Sequence, residues 1–107
     1  MMKGEAEMVE RTILVAGTYD TKSEELSYIV DVIRAQGGDV VRMDVSVLGD
    51  PPGRVEVSKH AVAEAAGRSI AEAMASGDEN SAMQIMARGA AAQAVELYRA
   101  GRIHGVI

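Results

Sequence analysis

The sequence predicts an α/β fold, a Rossmann-like three-layer unit with a short parallel sheet in the order β-α-β-α-α-β. Three observations carry this. Thr12 to Ala16 is an unbroken apolar run ending at Gly17, as expected of a strand buried on both faces. Leu26, Ile29, Val30 and Ile33 then recur at helical spacing, and a second strand-like run, Asp39 to Val45, follows at once. A right-handed crossover makes the two strands parallel neighbours with the helix on one face.

The first strand opens into a polar turn, Gly17-Thr-Tyr-Asp-Thr-Lys22. Thr21, with Glu24 three residues on, fits a capping box that starts the helix just after Thr21, and Gly37-Gly38 stops it. Residues 46–57 contain both prolines and two glycines and read as a long surface loop, a length more often functional than filler. Beyond it lie 14 of the 17 alanines, between Ala61 and Ala100. Two helices fit: one over about 59–75, with Val62, Ala66, Ile70, Ala73 and Met74 inward, and one over about 79–100, with Met83, Met86, Ala90, Ala94 and Leu97 inward. Ser76-Gly-Asp-Glu79 separates them and offers a second capping box, while Gly89 inside the longer helix predicts a close backbone contact. Arg102 to Ile107 reads as a third strand that stops within its apolar run.

Residues 1–11 are expected to form a disordered acidic tail, and 12–107 an N-terminal α/β subdomain that is truncated at its carboxyl end. A chain of 107 residues with no Phe and no Trp builds a thin core, which favours a homodimer or packing against a missing second subdomain. The absence of cysteine removes thiolate catalysis and cysteine zinc sites. No run approaches a membrane span and no signal peptide is visible, so the expected compartment is the cytoplasm, without a membrane partner. The net charge of −5 and the lack of a basic, aromatic face speak against nucleic acid.

Ligands of open parallel sheets bind at the carboxyl ends of strands. Gly17, Thr18, Asp20, Thr21 and Lys22 occupy that place after the first strand. Lys22, the hydroxyls and the backbone N–H groups at the helix start suit a phosphate, and Asp20 suits magnesium through water. The same residues also read as a capped turn with a solvated lysine. A strict P-loop fails, because Ala16 and Thr21 stand where its glycines belong. Asp44 and Ser46 end the second strand, where an acidic residue receives a ribose hydroxyl in dinucleotide folds; they also read as a plain strand terminus. His60 and His104 stand alone, without the neighbours a transition-metal site requires.

Taken in order, Ile13-Leu-Val-Ala-Gly-Thr-Tyr-Asp-Thr-Lys22, Asp44-Val-Ser46, Met86-Ala-Arg-Gly-Ala90 and Gly101-Arg-Ile-His-Gly-Val-Ile107 resemble the Tm-one-like ATP-binding family, a largely uncharacterised group whose plant member is a tobamovirus resistance protein. The resemblance implies a dimeric protein of two subdomains. This chain would supply the first part of the ATP-binding one and would end just before a glycine-rich loop that completes the site. It implies ATP as the ligand, with Gly17, Thr18, Asp20, Thr21 and Lys22 in the first loop and Asp44 and Ser46 in the second, and the expected cofactors are ATP and, from the reading of Asp20, magnesium. The leading expectation is therefore nucleotide binding, with no catalytic constellation in view. A non-catalytic assembly module built on the alanine-rich helices is one alternative, and a sugar-phosphate or acyl-substrate site of a metabolic enzyme is another.

Overall fold

The computed structural model describes residues 11–107. Three parallel strands, β1 (Thr12–Gly17), β2 (Asp39–Asp44) and β3 (Gly105–Val106), lie in the order β2-β1-β3. Helix α1 (Ser23–Ala35) crosses from β1 to β2, and α2 (Lys59–Ala65), α3 (Ile70–Met74) and α4 (Glu79–Arg99) lead from β2 to β3. The α/β three-layer expectation holds.

Alternation along the central strand explains the layers. Val15 on one face of the sheet packs with Tyr19, Leu26, Val30 and Val40, whereas Leu14 on the other packs with Val41, Met43, Val62, Ile70, Met86 and Ile103. Successive side chains therefore feed two separate cores. Gly89 is the tightest point of the larger one: a Cβ there would lie 1.8 Å from the Val62 carbonyl oxygen, so only glycine lets α4 lie against α2.

Several expectations about local structure are corrected. Thr21 does not cap α1; Lys22 holds the cap position without a side-chain hydrogen bond, because the turn is closed by its own backbone, with Lys22 N donating to Thr18 O at 2.8 Å. The helix expected over 59–75 is two helices. Gly67 takes a φ of +76°, which ends the first, and Ser69 with Glu72 forms a reciprocal capping box that starts the second. The cap of α4 is Asp78, whose side chain accepts from Ser81 N, and not Ser76. Met74 and Met83, expected inside, are 55% and 61% exposed, while Ala82, Ile85 and Gly89 are buried in their place. The acidic tail lies outside the described residues except for Arg11, which is exposed.

The segment after β2 is not a free loop. Val57 bridges in parallel to Met43 and returns the chain to the sheet edge, with Asp44 N donating to Val57 O at 2.9 Å. What lies between, residues 45–56, forms a closed excursion.

Candidate functional site

A cleft of about 620 Å³ opens at the carboxyl edge of the sheet. Its near walls are the loop after β1 (Thr18, Asp20, Thr21) and the loop after β2 (Val45, Ser46, Val47, Leu48); its far wall is the end of α3 and the start of α4, from Ala73 to Met83. Of the seven residues expected to form a site, Thr18, Asp20, Thr21 and Ser46 line it. Gly17, Lys22 and Asp44 do not.

Each of those three has a different place. Gly17 lies under Leu26, where a Cβ would meet that side chain at 2.7 Å, so its contribution is the close approach of α1. Lys22 is 63% exposed and lies 3.8 Å from Glu25. Asp44 is buried at 1% exposure beneath both loops: its Oδ1 accepts from Tyr19 N at 3.3 Å and from Ser46 N at 3.0 Å, and its Oδ2 has no partner. One carboxylate thus ties the two loops at their roots.

Asp20 ties them again nearer the rim, its Oδ2 accepting from Gly49 N at 3.1 Å. On the other side of the second loop Lys59 is buried, with Nζ donating to Gly49 O at 2.8 Å and pairing with Asp50 at 3.0 Å. At its base Arg42 and Glu56 form a bidentate pair at 2.6 and 3.1 Å. The guanidinium's hydrogen bonds hold the Glu56 carboxyl at about 2, below the usual 4.5. Tyr19 anchors the first loop differently, buried in the smaller core with its hydroxyl donating to Val15 O at 2.9 Å; burial pushes that hydroxyl up to about 12.

Lys59, Tyr19, Asp78, Glu79 and the methionine wall escape the sequence reading. Asp78 carried a usable signal, an N-cap residue three positions before Ser81. Nothing in the pattern around Lys59 marks it as a buried lysine, since its partners, the Val47 and Gly49 carbonyls and Asp50, are brought to it by a folded loop. The chemistry the cleft offers is acceptor-rich. The lining brings together three carboxylates, Asp20, Asp78 and Glu79, and the apolar Leu48, Met74 and Met83, with no Lys or Arg among them. Among the described residues no three or more His, Cys, Asp or Glu come together to hold a metal ion, and no helix is long and apolar enough to cross a membrane.

Fold and cleft define a Rossmann-like α/β domain with its candidate site at the sheet's carboxyl edge. Residues 11–107 match the N-terminal domain of the uncharacterised protein family UPF0261, and the chain belongs to that family. It is similar to UPF0261 proteins of Brucella suis (52% identical over 95 residues), Brucella melitensis (50% over 95) and Clostridium tetani (34% over 99). These alignments cover 89%, 89% and 92% of this chain but 23%, 23% and 24% of the relatives. The chain thus spans about a quarter of their length. No solved structure matches it. The comparisons give no sign of the Tm-one-like ATP-binding family, and the match to UPF0261 over nearly the whole chain corrects that resemblance. Its key segment, Gly17 to Lys22, is a short backbone-closed turn, and so brief a motif carries little family information.

Proposed function

We propose that this domain binds a nucleotide, with magnesium, in the carboxyl-edge cleft. The observation that supports it most is the placement of the cleft between loops that follow two neighbouring parallel strands. That is the position where open α/β sheets take their ligands.

Met74 and Met83 on the far wall, with Leu48 on the near one, suit a base, and Thr18, Thr21 and Ser46 bring hydroxyls to the near wall. Lys22 and the first-turn N–H groups of α1, which no side chain caps, suit phosphate at the rim. Asp20 is the one candidate of the sequence reading for magnesium, and a single carboxylate fits an ion that arrives already held by phosphates. Asp44 acts by positioning both loops.

The test is calorimetric titration of MgATP into the chain, with Asp20→Asn, which keeps an acceptor for Gly49 N, as the comparison. Saturable heat weakened about tenfold by the substitution supports the reading. Absence of both heat and thermal protection at about 1 mM MgATP overturns it. A second reading, self-association, rests on Val95 and Tyr98, exposed at 48% and 66% on the outer side of α4; it predicts a melting temperature that rises with protein concentration. Protection by a sugar phosphate in place of ATP would favour the metabolic-site reading.

A further inference from the structure

We infer that the cleft itself holds the nucleoside half of the ligand, an uncharged group rich in hydrogen-bond donors, and leaves the phosphates outside. This rests on the nucleotide reading and gives it a direction.

The lining decides the matter by charge and by hydrogen-bond capacity. A phosphate deep inside would meet Asp78 and Glu79 on the far wall, with no Lys or Arg among the lining residues. Like charges repel more strongly in a space partly withdrawn from water than in bulk solvent. Asp44, buried beneath both loops and outside the lining, offers the cleft no donor. The N-terminus of α4 faces the cleft but is no anion site. Asp78 caps it, accepting from Ser81 N at 2.7 Å, and so places a carboxylate where an anion would sit.

Carboxylate oxygens only accept, so the far rim calls for donors, such as the vicinal hydroxyls of a sugar or an exocyclic amine. The apolar part of the lining is Leu48 on the near wall and Ala73, Met74, Ala82 and Met83 on the far one. Two methionines facing solvent give an apolar, adaptable wall for a flat ring. Lys22 lies outside this lining, beside Thr21 at the rim, where phosphates leaving the cleft would pass.

The experiment titrates adenosine, MgATP and magnesium pyrophosphate into the chain and into Asp78→Asn/Glu79→Gln. Asparagine also caps helices, so this variant removes two charges and keeps the start of α4. The expected result is adenosine binding within about tenfold of MgATP, pyrophosphate silent, and both adenosine and MgATP weakened about tenfold by the variant. MgATP binding with adenosine more than about a hundredfold weaker, or a variant that binds MgATP more tightly, overturns the inference and leaves the nucleotide reading standing. Silence from both adenosine and MgATP overturns the nucleotide reading and the inference with it.

Discussion

The two loops at the carboxyl edge border the same cleft and are held by opposite means. The loop after β1 is short and is fastened by one aromatic ring, Tyr19, sunk in the smaller core. The loop after β2 is long and is fastened by charge: Arg42 with Glu56 at its base, Lys59 behind it, Asp20 across it. Five residues can follow a buried side chain into the core, whereas a twelve-residue excursion has to satisfy its own backbone at the surface. Asp44 is the one group shared by both, which makes it the hinge of the comparison.

Removal of the aromatic anchor is the largest break available. Tyr19→Ala is expected to destabilise the chain by about 3–5 kcal/mol, because a fully buried ring leaves a cavity that its neighbours fill only in part. Tyr19→Phe keeps the ring and loses the hydroxyl bond to Val15 O, and is expected to cost about 1 kcal/mol. Urea unfolding of the two variants separates packing from hydrogen bonding. Equal losses would mean that the hydroxyl, and not the ring, holds the first loop.

The charged clasp is expected to fail at a different pH from the aromatic one. The Glu56 carboxyl is depressed from 4.5 to about 2, so its stabilisation is complete above its unfolded value and is lost as pH falls from about 5 toward 2. Tyr19 is raised from 10.0 to about 12, so its contribution is complete below pH 10 and is lost as pH rises through that window. Glu56→Gln is expected to cost about 1–2 kcal/mol at pH 7, the range for a hydrogen bond to a charged group that is still partly solvated. The gap between the variant and the parent should narrow by pH 3 and close only below about pH 2. Urea midpoints at pH 7 and pH 3 measure this, and a gap at pH 3 as large as that at pH 7 would place the stabilisation elsewhere.

Sequence periodicity was legible wherever one residue's spacing set its face. The apolar run of β1, the stripe of α1 and the glycine at 89 all lead to the packing that the structure has. Half of the cleft was legible too, since Thr18, Asp20, Thr21 and Ser46 follow strands whose order a crossover dictates. The far wall was not, because Met74 and Met83 have helical spacing compatible with the core; the break at Gly67 resets the face of α3 that carries Met74, and in α4 the buried positions fall to Ala82, Ile85, Met86 and Gly89. Lys59 and Arg42 were illegible for another reason. Their partners, loop carbonyls and Glu56, are brought near by the return of Val57 to the sheet, which no local pattern announces.

The smallest effect sharpens the comparison most, because it separates a loop's stability from its use. Lys22 and Glu25 are 63% and 64% exposed, and a solvated pair of this kind contributes about 0.5 kcal/mol or less. Lys22→Ala should therefore leave the urea midpoint almost unchanged. If phosphates pass the rim beside Thr21, the same substitution should weaken MgATP about threefold and leave adenosine untouched, the loss expected for one screened charge at the surface. Equal weakening of both ligands would instead show that Lys22 shapes the turn. The first loop would then owe its form to charge as well as to Tyr19, and the contrast between the two loops would narrow to a difference of length.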